Sequence, residues 1–183
     1  MSADVNSPTD YRAGVGIVLC NSRGLIFSGK RRDRRDPPWQ MPQGGVQDGE
    51  LPADAVMREI KEEIGTDRVT LIEFRPDWLS YDYPDANTSR RAVNFRGQRH
   101  LWFLLRFDGQ DKEIHLDTPH GEFCDWRWST PAEVIDRVVG FKQPVYRQVM
   151  RYFAPTIMRM SVIEPIRLPK ATVRRPRQRR LAV

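Results

Sequence analysis

Between Pro52 and Gly65 the chain carries a segment that reads as an amphipathic helix. Ala53, Val56, Ile60 and Ile64 recur at helical spacing, Pro52 suits a first helical turn, and Gly65 stands where a C-terminal cap belongs. On that helix Glu59, Glu62 and Glu63 fall at i, i+3 and i+4, so at about 100° per residue they share one face beside the apolar one. Like charges at i and i+4 weaken a helix by a few tenths of a kcal/mol, and Arg58, as the i+4 partner, is expected to relieve Glu62 alone. A hard divalent cation would offset the remaining repulsion, because magnesium takes oxygen ligands from a few carboxylates, waters and phosphates. A solvated acidic face is the plainer alternative.

The flanking residues predict a layered domain. Val15 to Cys20 reads as a buried strand, with Leu25 to Ser28 as its hairpin partner across Asn21 to Gly24. Lys30 to Pro38 reads as a basic loop. Val69 to Phe74, Trp78 to Tyr81, His100 to Phe107 and Phe123 to Trp128 have strand character. Thr130-Pro131-Ala132-Glu133 has the form of a capping box, and a further helix is expected from near Pro144, with Val145, Val149, Tyr152 and Phe153 on one side. Strands mixed with helices in this order point to an α/β or α+β fold.

Charge divides the chain. Of 30 Lys and Arg residues, seven lie after Glu164 with no acid among them, so the body is close to neutral and the end supplies the surplus. The expected division is a flexible stretch over 1–9, one domain over 10–158 and a basic, disordered tail over 159–183. The N-terminus lacks a basic start and an apolar run, and no apolar stretch is long enough to cross a bilayer. Cys20 and Cys124 match no zinc spacing, and Cys20 ends an apolar run as a small hydrophobe would. A reducing cytoplasm is expected, with no membrane partner and a monomeric state. His100, His115 and His120 are scattered and read as surface or structural residues, and Trp39 and Trp102 as packing residues.

From Gly44 through Glu50 to Arg58-Glu59-Ile60-Lys61-Glu62-Glu63-Ile64-Gly65 the sequence resembles the Nudix box. That motif has a glycine, five residues, a glutamate, seven residues, then Arg-Glu-apolar-any-Glu-Glu-any-Gly-apolar. Only the last position departs, with Thr66 in place of an aliphatic residue. Tyr11-Arg12, Trp39 to Gly45, Trp102 to Leu105, Glu122-Phe123, Trp126 to Trp128 and Val139 to Lys142 extend the resemblance to the bacterial RNA pyrophosphohydrolases and dinucleoside polyphosphate hydrolases.

The resemblance implies the Nudix fold, a mixed sheet sandwiched between helices with a loop-helix-loop box. It implies a hydrolase of phosphoanhydride bonds that uses Mg2+, or Mn2+ or Zn2+, held by Glu59, Glu62, Glu63, Glu122 and the Gly44 carbonyl. Arg58 would orient the glutamates, Glu62 would accept the proton of the attacking water, and Glu50 and Gly65 would support the box. Arg12 and Arg32 would hold phosphates, while Phe141 would stack on a base beside Val139 and Lys142. The substrate stays open between a 5′-triphosphorylated or diphosphorylated RNA, converted to a monophosphate and so opened to decay, and diadenosine tetra- or pentaphosphate. The basic tail and Arg90, Arg91, Arg96 and Arg99 favour RNA, and DNA is not expected. A non-catalytic nucleotide or RNA sensor is the reading from another class, against which all four box glutamates are retained.

Overall fold

A computed structural model describes residues 10–32, 38–84 and 95–162. The expected N-terminal stretch over 1–9, most of the tail, the loop over 33–37 and Arg90 and Arg91 lie outside the described residues.

One mixed sheet organises the chain. Its strands are β1 (Tyr11–Cys20), β2 (Ile26–Arg31), β3 (Trp39–Gln40), β4 (Gln43–Gly45), β5 (Val69–Asp82), β6 (Gly97–Phe107) and β7 (Phe123–Ser129). The main path runs β3-β2-β1-β6-β5, with β4 on β1 and β7 on β2. Strands β1 and β6 pair in parallel from Tyr11 opposite Gly97 to Cys20 opposite Arg106. A parallel pair at the centre is covered on both faces, which accounts for the unbroken apolar runs Val15 to Cys20 and Trp102 to Leu105.

The helices supply that cover. On one face α1 (Pro52–Ile64) sets Ala55, Val56, Ile60 and Ile64 against Val15, Ile17, Leu19, Phe27, Phe103 and Leu105. On the other, α2 (Pro131–Arg137) and α3 (Gln143–Val162) bring Val134, Val145, Val149 and Phe153 against Val18, Ile26, Trp102 and Leu104. Gly65 ends α1 in the left-handed region at φ 72°, and its N–H donates to Lys61 O at 3.2 Å. Thr130 Oγ1 accepts the Glu133 N–H at 3.3 Å and Glu133 reaches back to the Thr130 N–H at 2.9 Å, so the capping box forms.

Five details differ from expectation. Strand β1 pairs with β2 only at Cys20 opposite Ile26, because β4 takes its edge at Gly14 to Gly16, so the hairpin is short and β2 turns away to β7. Lys30 and Arg31 belong to β2 rather than to a loop. Val69 to Tyr81 is one strand with a register shift between Arg75 and Leu79, where Pro76 has no N–H to give the ladder. Helix α3 reaches Val162 beyond the expected boundary at 158, and Tyr152 turns outward under the Arg75 guanidinium, 5.3 Å from its ring.

Candidate active site

The C-terminal half of α1, the starts of β1 and β6, the end of β2, β4 and the segment before β7 enclose a cleft of about 440 Å³. Arg12, Gly44, Glu59, Glu62, Glu63 and Glu122 line it, six of the expected site residues, drawn from three elements and the segment before β7. Pairing of β2 with β7 carries Glu122, which precedes β7, across from α1.

Arg58 is the hub of the acidic wall. Its Nε and Nη2 donate to the two oxygens of Glu50 at 2.8 and 2.9 Å, Nη2 also to Gly45 O at 2.8 Å, and Nη1 to Glu59 Oε1 at 2.7 Å and Glu62 Oε2 at 3.3 Å. The expectation that Arg58 relieves Glu62 alone is therefore corrected. A planar fork of five N–H donors serves neighbours that a point charge could not. The hydrogen bonds from Arg58, with the Gln47 N–H at 2.9 Å, hold the Glu50 carboxyl down to about 2. Glu50 thus braces the loop before α1 rather than lining the cleft.

Glu59 and Glu63 are buried carboxylates, 8% and 2% exposed. Burial raises the pKa of Glu59 against the pull of Arg58. Glu63 is pushed well above the usual carboxylate range by burial, then by Glu122 and Glu59, against the Gln43 N–H at 3.2 Å and Arg31. Its Oε1 is closed to solvent and has no hydrogen-bond partner. Gly44 presses on Glu59 so closely that a Cβ there would overlap the carboxyl group.

Among the described residues no three Asp, Glu, His or Cys side chains form a ready ligand cluster. Guanidinium groups take their oxygens instead, Arg58 from Glu59 and Glu62 and Arg31 from Glu122 at 3.0 Å. The oxygen-only donor set and the orphaned Glu63 Oε1 nevertheless fit a hard divalent cation, which would neutralise a repulsion that the arginines only partly cover.

Not every expected residue reaches the cleft. Arg32 points to Phe123 O at 3.0 Å and stands 3.5 Å from Asp117, while Arg31 lines the cleft in its place. Strand β2 ends at Arg31, and Arg32 follows in the bend that leaves it, a boundary that ending the strand at Ser28 concealed. Val139 and Phe141 pack half-buried against the α3-side core, with the Phe141 ring 5.5 Å from that of Tyr81. Lys142 is buried and donates to Gln40 Oε1 at 3.2 Å and Gln43 Oε1 at 2.9 Å. Gln43 ties this group to the cleft, since its Nε2 donates to Gln98 Oε1 at 3.2 Å and its backbone N–H to Glu63. The Tyr81 hydroxyl also donates to Gln98.

Gln98 lines the cleft without having been singled out, Gln43 lines it beyond its place in the resemblance, and His100 and His120, read from the sequence as surface or structural residues, stand in its wall. Of the arginines expected to form a basic track, Arg96 pairs with Asp82 at 2.6 Å and Arg99 lies over the Trp78 ring at 4.7 Å.

Comparison with known proteins gives a consistent placement. The model of the NUDIX domain matches residues 10–151. An RNA pyrophosphohydrolase of Cereibacter sphaeroides is 46% identical over 79% of this chain and 91% of its own length. That of Rhodospirillum rubrum is 46% identical over 79% and 87%. Among solved structures, the dihydroneopterin triphosphate pyrophosphohydrolase of E. coli superposes with a TM-score of 0.62 at 22% identity, over 80% of this chain and 98% of that one. At that identity the likeness speaks for the fold alone. No helix among the described residues is long and apolar enough to cross a membrane.

Proposed function

Since the chain belongs to the Nudix family and is a hydrolase of that family, we propose that it removes pyrophosphate from 5′-triphosphorylated RNA, or orthophosphate from a diphosphorylated end, leaving a monophosphate. One observation carries the reading: glutamates from α1 face Glu122 across a single cleft that also holds Arg12 and Arg31. Carboxylates alone would repel a polyphosphate and arginines alone would not activate water, whereas the two together suit phosphoryl transfer. The two relatives bearing the name RNA pyrophosphohydrolase support the choice of RNA.

Glu59, Glu62, Glu63, Glu122 and the Gly44 carbonyl would hold a divalent cation, Mg2+ or else Mn2+ or Zn2+. When bound, such an ion supplies Lewis acidity, drawing charge from the phosphates and acidifying water nearby. Glu62 is the half-exposed member of the box and accepts the proton of the attacking water. Arg58 fixes Glu59 and Glu62 and thereby the geometry of that transfer. Arg12 and Arg31 take phosphate oxygens, with Arg31 in the role expected of Arg32. Phe141 offers a ring for the first base, and Lys142, held by Gln40 and Gln43, stands beside it. Free Cys20 and Cys124 suit a reducing compartment such as the cytoplasm.

A competition between a short 5′-triphosphorylated RNA and diadenosine tetraphosphate, each at limiting concentration, tests the substrate. A higher kcat/KM for RNA is expected, and faster turnover of the dinucleotide would remove the assignment. Glu62→Gln tests the chemistry, with kcat expected to drop by about 10²- to 10⁴-fold at saturating magnesium, the range for a general base.

A further inference from the structure

His100 stands on β6 in the wall of the cleft, and no step described above uses it. The side chain is 2% exposed, yet among the described residues neither ring nitrogen has a hydrogen-bond partner, and Nδ1 is closed to solvent as well. An orphan N–H costs more to bury than a lone pair, and Nε2, the ring nitrogen that is not closed off, is the one a ligand in the cleft can reach.

Three neighbours hold the ring. Tyr81 lies 5.8 Å away, Trp102 meets it edge-to-face at 6.1 Å, and Gly14 lies beneath it. A Cβ on Gly14 would come within 2.8 Å of Cδ2 and 3.0 Å of Nε2, and would also strike the Gly44 carbonyl oxygen. The Nε2 edge is therefore set over a backbone with no side chain, beside the glycine of the box.

The protonation state follows from the surroundings. Burial, then the charges of Lys142 and Arg12, lower the pKa of His100 to about 3, so the ring carries one proton at neutral pH. Placed on the closed Nδ1, that proton would be an orphan donor, whereas on Nε2 it lies on the Gly14 edge. A phosphoryl oxygen only accepts, and Arg12 and Arg31 in the same cleft draw anions to it. An uncharged donor adds a hydrogen bond there without adding a third cation to oppose the metal.

We propose that His100 is a substrate-binding residue whose Nε2–H donates to a phosphoryl oxygen of the polyphosphate beside the Arg12 guanidinium. The proposal rests on the phosphoanhydride reading above and assigns one more contact within it. A histidine that only filled the core would be replaceable by any side chain of similar volume.

The full-length chain, labelled with 15N-histidine, is titrated first with magnesium and then, in saturating magnesium, with inorganic pyrophosphate while the ring resonances are followed. The His100 Nε2–H signal is expected to shift saturably. His100→Leu is expected to weaken pyrophosphate about tenfold and to raise KM for triphosphorylated RNA in the same ratio with kcat nearly kept. His100→Gln, which retains an N–H at similar reach, should restore binding to within about threefold. Thermal melting of both variants identifies a leucine protein that fails to fold, and the titration of the parent needs no variant at all. A His100 signal that ignores pyrophosphate, one that responds to magnesium alone, or a folded leucine variant that binds as tightly as the parent overturns the proposal. Hydrolysis of triphosphorylated RNA by the same parent sample separates the failures: an active parent with a silent His100 refutes this contact only, and an inactive parent refutes the substrate reading.

Discussion

Arg31 Nη1 stands 3.0 Å from Glu122 Oε2, joining residues 91 positions apart across the mouth of the cleft. Glu122 faces Glu63, whose pKa it helps to raise, so Arg31 limits the negative charge that the two carboxylates share. Arg32, one residue on, serves a backbone carbonyl and an exposed aspartate outside the cleft. Arg31→Ala is expected to lower kcat/KM for triphosphorylated RNA by roughly 10- to 100-fold, the loss of a charge-assisted contact worth about 1.5 to 3 kcal/mol. Arg32→Ala should stay within about threefold, since an exposed ion pair is worth at most about 1 kcal/mol. Steady-state kinetics of the two variants decide, and a larger effect at Arg32 would return the phosphate-binding role to it.

Glu50 sets a pH dependence of stability. Its carboxyl is held at about 2 against an unfolded value near 4.5, with Arg58 as the leading cause. Between those values the unfolded chain binds more protons than the folded one, so stability from this group is complete above pH 4.5 and fades as pH falls toward 2. Burial of Glu59 and Glu63 acts in the opposite sense, but equally in parent and variant. Denaturant melts should therefore find Glu50→Gln less stable than the parent at pH 7, with the gap narrowing at pH 3. A gap that widens on acidification contradicts the pairing with Arg58.

How much of this was legible depended on the range of the interaction. Glu59, Glu62, Glu63, Pro52 and Gly65 lie within one helix, where a 3.6-residue period and capping chemistry are local, and the capping box at Thr130 is local too. Glu122 and Phe141 could be picked out only through the family resemblance, because nothing in their immediate surroundings marks them. Arg31, Gln98 and His100 depend on strand length and cross-strand register, set by the β2 to β7 and β1 to β6 pairings. Tyr152 was misjudged for a smaller reason: it falls at the rim of the buried side of α3 that Val145, Val149 and Phe153 define, so helical spacing alone left its direction undecided.

Phe141 offers a test of base recognition separate from the chemistry. Its ring is half-buried, supported by Tyr81 at 5.5 Å, and follows the exposed Gly140. Stacking of a base on an aromatic ring is worth about 1 to 3 kcal/mol, or about 5- to 150-fold in binding. Phe141→Ala should raise KM for RNA by a factor in that range with kcat little changed, whereas Phe141→Tyr should keep KM near the parent's. If alanine leaves KM unchanged and lowers only the melting temperature, the ring serves the core and not the substrate.

Gly44 isolates the precision of the acidic wall around Glu59. Its φ is not positive, so an alanine can adopt the same backbone, and any effect must come from space rather than strain. That space is taken by the Glu59 carboxyl group, which Arg58 holds through Nη1 at 2.7 Å. An added methyl must push Glu59 off Arg58 or push β4 off β1, where Gly44 lies opposite Val15. The side chain is the softer of the two, because β4 is tied along Gly14 to Gly16. Displacement of a reacting group by about 1 Å can cost about a hundredfold in rate. Gly44→Ala is therefore expected to lose roughly that factor in kcat/KM with magnesium while its melting temperature moves by only a few degrees, about what 1 kcal/mol produces in a domain of this size. A variant that keeps full activity would mean that Glu59 has no fixed part in the chemistry.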